Sequence, residues 1–318
     1  MKCLFSAISL SLCLFSTAIY AAGVNELPKY KKVPGVHGTL NVIGSDTLNN
    51  MMALWAESFQ KIYPGVTVQI DGKGSSTAPP ALIKGTAQIG PMSREMKPTE
   101  IVAFEDSYGY KPTRIVVAID SLSIFVQKDN PMEGVTLDQL DGLFSSTYRR
   151  NGKAIETWED MGIGGDLSRR RVSLFGRNSA SGTYGLFKEF ILYEGDFNET
   201  VKEQPGTSAV VQGVAADPFG IGYGGIGYKT SGVKTLPIAG DDGTYVEPTY
   251  ENCLTGDYPL ARFLYIYVNK PPNAPIDRLT GEFIRFIFSR EGQEIVKKDG
   301  YYPIPAATAS DYVASLTQ

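Results

Sequence analysis

Histidine and cysteine are scarce in this chain of 318 residues, and their scarcity excludes several kinds of site. The one histidine, His37, lies far in sequence from Cys253, and the other cysteines, Cys3 and Cys13, are close to the amino terminus. Because a structural zinc ion is normally held by four Cys and His side chains, no metal site is expected. Cys253 cannot form an intrachain disulfide once the amino-terminal segment is lost. We therefore expect a packed structural cysteine rather than a catalytic thiolate.

Motifs that bind nucleotides are also missing. The chain contains no Gly-x-x-x-x-Gly-Lys-[Ser/Thr] sequence, and no Gly-x-Gly-x-x-Gly follows its early apolar segments. Residues 220–227 are rich in glycine but lack a following helix and an acidic ribose partner. Their composition favours a strand that another part of the backbone approaches closely. A formal net charge of −4 argues against non-specific nucleic-acid binding, which needs basic patches. The sequence predicts neither a cofactor nor a nucleic-acid partner.

The sequence has one long apolar stretch, and this stretch has the layout of a secretory signal peptide. Lys2 precedes an almost wholly apolar or small stretch over residues 4–19, and Ala21 and Ala22 then supply small residues suited to cleavage. The stretch is too short and too unevenly flanked for a good membrane span. We expect residues 1–22 to be a cleaved signal peptide and the mature chain to be soluble and periplasmic.

Short apolar segments alternate with helical patterns from residue 39 onward. Residues 40–43 and 66–70 have the pattern of strands, and apolar residues recur at helical spacing between Leu48 and Ile62. Such alternation predicts the α/β class, with mainly parallel sheets flanked by helices. Two long extended segments, residues 114–127 with a break at Asp120-Ser121 and residues 263–268, are expected to cross between two lobes.

These crossings divide the predicted mature chain into four segments. They are a leader over 23–36, a discontinuous first lobe over 37–119 and 264–318, and a continuous second lobe over 120–263. Within the lobes we expect a helix after Thr183 with Phe190 on its buried face, and one amphipathic helix over 283–296. Two lobes joined in this way enclose a cleft that can close around a ligand by a hinge motion.

Three loops share one pattern, in which glycine and hydroxyl residues lie between a predicted strand and a predicted helix. They are Gly44-Ser45-Asp46-Thr47, Gly74-Ser75-Ser76-Thr77 and Arg177-Asn178-Ser179-Ala180-Ser181-Gly182-Thr183. A helix start offers free N–H groups and a partial positive charge, and Arg177 can place two donors on one oxyanion. Each loop alone would be interpreted as a helix cap, and Arg177 alone as half of an ion pair. Together they favour an anion site at the carboxyl ends of the strands.

At these residues the sequence resembles the periplasmic phosphate-binding components of ABC transporters, from about Thr39 to Pro305. The run from Arg177 through Ser181, Gly182 and Thr183 is the most specific part of the resemblance. The resemblance implies a two-lobed periplasmic-binding-protein fold, type II-like, that is not an enzyme. It implies that phosphate is held between the lobes and delivered to a permease in the inner membrane, and we expect a monomer. The implied ligand-binding residues are Asp46, Thr47, Ser75, Ser93, Arg177, Ser181, Gly182 and Thr183.

The chain departs from the family pattern in the position of one carboxylate. Family members have Asp where this chain has Ser93, which is followed by Arg94, and they have Thr where this chain has Asp46. We therefore expect Asp46 to accept the phosphate proton, with capping of its own helix as its alternative role and Asp71 and Asp120 as weaker candidates. Sulfate carries no proton to donate, so a carboxylate in a dry site selects against it.

Three other functions remain open from the sequence. A serine hydrolase would use Ser181 as its nucleophile, but the Gly-x-Ser-x-Gly elbow is missing and only His37 offers a histidine base. The same fold would also serve to bind another oxyanion, such as sulfate or molybdate. A phosphate sensor or surface protein is the third alternative.

Overall fold

Strands and helices are interspersed along the described part of the chain. The computed structural model describes residues 23–150 and 153–316, so the predicted signal peptide lies outside the described residues. The strands are β1 (Gly38–Ile43), β2 (Val66–Asp71), β3 (Ile89–Met92), β4 (Thr113–Gln127), β5 (Val135–Thr136), β6 (Ser173–Arg177), β7 (Lys202–Gln204), β8 (Gly220–Gly225), β9 (Val233–Leu236), β10 (Ile238–Ala239), β11 (Tyr245–Val246) and β12 (Ala261–Val268). The helices are α1 (Asn49–Ile62), α2 (Ala78–Ile83), α3 (Pro98–Tyr108), α4 (Leu137–Phe144), α5 (Gly182–Phe190), α6 (Thr207–Ala216), α7 (Tyr250–Thr255), α8 (Arg278–Ile287), α9 (Arg290–Lys298) and α10 (Ala306–Leu316).

One mixed sheet runs through the molecule in the order β2-β1-β3-β12-β4-β8-β6-β7, and β9 pairs with β4 beside it. Strands β1, β2 and β3 are parallel, as are β6, β7 and β8. Strands β4 and β12 run antiparallel to their neighbours and join the two parallel groups. We name the β1–β3 side, with α1–α3 and α8–α10, the first lobe, and the β6–β8 side, with α4–α7, the second lobe. The predicted two-lobed α/β fold is confirmed.

Strand β4 belongs to both lobes. Its first part pairs with β12 as far as Ser121, and from Leu122 onward it pairs with β8. The predicted break at Asp120-Ser121 is therefore wrong. The strand continues because Arg262 lies directly opposite Asp120 on β12 and pairs with its carboxylate. A paired charge can be buried at a position where an unpaired one would interrupt the strand.

Each lobe has an apolar core of its own. In the first lobe the α1 side chain Phe59 packs against Phe283 of α8, and in the second lobe Phe187 stacks on Tyr223 with ring centroids 4.0 Å apart. Cys253 is buried in the second core, as expected for a structural cysteine. The prediction that Phe190 is buried is wrong, since half of its surface is exposed. Phe187 and Ile191, one turn apart, already fill the stripe of α5 that faces the core.

The predicted single helix over 283–296 is also wrong, because the chain forms two helices there. Ser289 ends the first and caps the second: its Oγ accepts a hydrogen bond from Gly292 N at 3.2 Å. A Cβ atom at Gly292 would lie 2.1 Å from Phe286 O, so the close turn between α8 and α9 requires glycine.

Residues 23–36, predicted as a leader, pack against the outside of the first lobe. Val24 and Leu27 are buried, Pro28 O accepts a hydrogen bond from Arg290 N at 2.9 Å, and Tyr30 OH donates to Glu282 at 2.8 Å. Among the helices of the described residues, we find none with both the length and the apolar character to span a membrane.

Glycine in β8 lets helix α6 lie close to the sheet. A Cβ atom at Gly222 would be 2.8 Å from Val210 Cγ1 and 2.9 Å from Val214 Cγ2, both buried on α6. This contact determines how closely α6 packs against the sheet. The first residue of α6, Thr207, points toward the junction of the lobes.

We predict that Gly222→Ala destabilises the protein by about 1–3 kcal/mol, because the added methyl group overpacks the contact between β8 and α6. Urea unfolding followed by tryptophan fluorescence measures the change. Gly164→Ala is the matched control, since a Cβ atom there meets nothing within 4 Å and its φ is −87°. Equal stability of the two variants would contradict the prediction.

Candidate anion-binding site

The loops after β1, β2, β3 and β6 meet where the two lobes face each other. Thr47 Oγ1 lies 3.2 Å from Thr183 Oγ1, and Ser75 Oγ lies 3.2 Å from Ser93 Oγ. A Cβ atom at Gly182 would lie 2.4 Å from Ser75 Oγ, so only glycine lets the start of α5 approach the first lobe this closely. Residues predicted from separate parts of the sequence are thus brought together in one buried place.

Arg177 is a cationic group of this place and is almost completely buried, with 1% of its surface exposed. Its Nη2 forms an ion pair with Asp46 Oδ1 and donates to Pro205 O at 3.3 Å, and its Nη1 donates to Thr207 Oγ1 at 2.8 Å. Its Nε has no hydrogen-bond partner among the described residues. A buried N–H group without a partner is rare, so Nε is a donor still available to a ligand.

Asp46 reaches across the cleft and does not cap its own helix. Helix α1 begins after Leu48 without a side-chain cap bond in the described chain, while Asp46 Oδ2 accepts from Thr207 N at 3.0 Å, at the start of α6. The alternative role expected for Asp46, capping of its own helix, is therefore wrong. Its carboxylate caps α6, a helix of the other lobe. Its backbone is fixed as well, because Asp46 O accepts from Tyr228 OH at 2.8 Å.

Ser181 has the capping role that its position suggested. Its Oγ accepts hydrogen bonds from Thr183 N at 3.1 Å and from Tyr184 N at 3.4 Å. Within the described residues these backbone groups are its side-chain partners, so no base is placed to activate it as a nucleophile. The hydroxyl hydrogen of Ser181 remains available as a donor.

The two lobes also touch through backbone atoms. Ser76 N and Ser76 Oγ both donate to Ala180 O, at 3.2 Å and 2.7 Å. Gly74 has a φ of +128°, and a Cβ atom there would lie 2.4 Å from the same carbonyl oxygen. These contacts hold the second loop of the first lobe against the loop before α5.

The two weaker carboxylate candidates, Asp71 and Asp120, are each paired with a cation. Asp71 pairs with Lys73 at 2.9 Å on the surface. Arg94, next to Ser93, forms a bidentate pair with Glu100 of its own lobe, both bonds being 2.7 Å. Asp120 is buried beside the site but is paired with Arg262. Burial raises the pKa of Asp120, and the charge of Arg262 opposes that rise.

A family model described as PBP superfamily domain matches residues 31–291. The chain belongs to the PBP superfamily. It is 50% identical to the phosphate-binding protein PstS of Pseudomonas aeruginosa, with 99% of both chains covered, and so belongs to that protein's family within the superfamily. A binding protein of Clostridium perfringens solved with bound phosphate has a TM-score of 0.70 and 26% identity, over 84% of this chain and 100% of the other. An ABC-type phosphate transport receptor of Vibrio cholerae shares the fold, with a TM-score of 0.64, 24% identity, and coverage of 83% and 100%.

Sequence reasoning missed several residues that shape the site of this superfamily member. Thr207 follows Gly206 at a helix start, so the pattern used for the other loops would have found it. Tyr228 and Tyr301, which donate to the carbonyls of Asp46 and Thr47 at 2.8 Å each, carry no local signal. Arg262 stands alone in an apolar strand, and only the fold shows what it contacts.

Asp299 lies below the first loop, at the end of α9. Its Oδ1 accepts from Asn50 Nδ2, while its Oδ2 has no hydrogen-bond partner in the described chain. Burial raises the pKa of Asp299 from 3.8 to about 6, and the Asn50 bond offsets part of the rise. The folded state therefore holds this proton more tightly than the unfolded state. Its contribution to stability is lost as the pH rises from about 4 through about 6.

We predict that Asp299→Asn stabilises the protein at about pH 8 by about 1–3 kcal/mol and has little effect near pH 4, because the amide never ionises. Urea unfolding at several pH values measures the difference between the two proteins. A gain that is the same at every pH would show that charge burial is not its cause.

Proposed function

We propose that this chain is an exported, periplasmic binding protein that captures inorganic phosphate between its lobes and delivers it to the permease of an ABC transporter in the inner membrane. The observation that carries the proposal is the buried meeting of Arg177 and Asp46, which come from different lobes. Relatives and structural neighbours that are named as phosphate-binding or phosphate-transport proteins support it.

The donors suit a tetrahedral anion. Hydroxyl groups, the start of α5 and the unpartnered Nε of Arg177 supply hydrogen bonds from several directions, and the site is shielded from water. Fixed donors in such surroundings are stronger than they are in water, so the local field can overcome the chain's net charge of −4. The proposed ligand-binding residues are Asp46, Thr47, Ser75, Ser93, Arg177, Ser181, Gly182 and Thr183.

Asp46 gives the site its preference for phosphate. Once its carboxylate is held by Arg177 and Thr207 N, it still has lone pairs that can accept the proton of monohydrogen phosphate. Sulfate would bring an unprotonated oxygen against the same negative charge, which is costly where water is excluded. Contact with residues of both lobes also means that the closed state binds the anion better than an open one.

We predict that the unsubstituted protein binds phosphate more tightly than sulfate, and that Asp46→Asn lowers this preference by about tenfold or more, since a charge-assisted hydrogen bond is lost. Isothermal titration calorimetry with phosphate, sulfate and arsenate across pH measures the preference. Asp71→Asn, in a surface pair, is the control and should retain it. An unchanged preference in Asp46→Asn would refute the acceptor role.

We predict that Arg177→Gln weakens phosphate binding by about a hundredfold or more, because the cation is lost while Asp46 keeps its charge. Calorimetry measures binding, and phosphate uptake by cells lacking the gene measures delivery. The unsubstituted protein should restore uptake and the variant should not. Arg150→Gln, which removes an arginine paired with Asp241 elsewhere in the second lobe, should retain both activities. Full uptake with Arg177→Gln would count against the proposal.

A further inference from the structure

A second buried ion pair lies next to the proposed site, on the two strands that connect the lobes. Arg262 of β12 and Asp120 of β4 are cross-strand neighbours, and both are buried. Arg262 Nε donates to Asp120 Oδ2 at 2.8 Å, and Nη2 lies 2.6 Å from the same oxygen. Asp120 Oδ1 accepts from Ile226 N at 3.1 Å, which fixes the carboxylate to the second lobe.

The free end of this guanidinium points at the site. Its Nη1 donates to Thr183 Oγ1 at 2.9 Å and to Ser93 O at 3.2 Å. Nη1 of Arg262, on a strand between the lobes, therefore binds one residue of each lobe. Both acceptors are within its reach only when the lobes are together. Its Nε and Nη1 are engaged by protein atoms, and its Nη2 lies beside Asp120 without a hydrogen bond among the described residues, so Nη1 acts on an anion through Thr183.

The bond to Arg262 determines what the Thr183 hydroxyl can do. Oγ1 accepts from the guanidinium, which has hydrogens to donate and no lone pair to accept with. The Thr183 hydrogen must therefore point elsewhere, and the neighbouring acceptor in the described chain is Thr47 Oγ1 at 3.2 Å, in the first loop of the site. A hydroxyl held in this way is set in advance as a donor toward the place where the loops meet.

We infer that Arg262 is a positioning residue for anion binding: paired with Asp120, it orients the Thr183 hydroxyl as a donor and links it to Ser93 of the opposite lobe when the cleft is closed. The inference rests on the proposed function and adds a residue and a role to it. Asp120 holds the guanidinium in place and balances its charge. The pair therefore orients a donor in the site without adding net charge there.

A double-mutant cycle tests the role. Removing Arg262 alone would leave Asp120 buried and unpaired, which endangers folding, so the pair is replaced together as Arg262→Gln with Asp120→Asn. The second arm is Thr183→Val, which keeps the shape of the side chain and removes the hydroxyl. Phosphate affinity of the four proteins is measured by calorimetry, and thermal unfolding confirms that each is folded.

We predict that the paired replacement weakens phosphate binding by about tenfold to a hundredfold when Thr183 is present. In the Thr183→Val protein the same replacement should have little effect, because the hydroxyl that Arg262 orients is already absent. Equal losses in both backgrounds would overturn the positioning role while leaving the proposed function intact. Absence of phosphate binding in the unsubstituted protein would overturn the proposed function itself, and this inference with it. Arg150→Gln serves again as the control for loss of an arginine away from the site.

Discussion

The ion pair between Arg177 and Asp46 imposes the strictest requirement on this structure. A guanidinium with 1% of its surface exposed has to be surrounded by acceptors, since an uncompensated buried charge is strongly destabilising. Asp46 provides one from the first loop, and Thr207 and Pro205 provide the others from the turn that starts α6. Because the first loop belongs to the first lobe and that turn to the second, the same pair that satisfies Arg177 also brings the lobes together.

A chain of contacts connects this pair to the second one on the joining strands. Thr47, next to Asp46 in the first loop, approaches Thr183, which in turn accepts from Arg262, and Arg262 is held by Asp120. The first and last members are carboxylates, and the bond from Arg262 directs the Thr183 hydroxyl toward Thr47. Motion of one lobe relative to the other would break the bonds in the middle of the chain and leave both ion pairs less well satisfied. The polar layer thus stabilises closure of the lobes as well as the shape of the site.

The sequence predicted those features whose signals are local. Helical spacing in α1 and the loop pattern of Arg177, Ser181 and Thr183 depend on neighbours in the chain, and the structure agrees with both. The break expected at Asp120 was wrong because the partner that neutralises it, Arg262, lies 142 residues away. No local sequence pattern predicts the pair of Asp120 and Arg262. By contrast, the division between α8 and α9 has a local signal, since Ser289 is a good cap residue that lies within the apolar periodicity.

Helix capping and anion binding are compatible roles for the hydroxyl residues, for a geometric reason. When Ser181 accepts hydrogen bonds from the backbone at the start of α5, its lone pairs face the helix and its hydrogen must face away from it. The same holds for Thr207, whose Oγ1 accepts from Arg177, and for Thr183, whose Oγ1 accepts from Arg262. In each case the bond that stabilises the fold fixes the direction of the remaining donor. A cluster of capped helix starts is thereby also a cluster of oriented donors, and we propose Asp46 as the acceptor among them that gives a protonated anion its advantage.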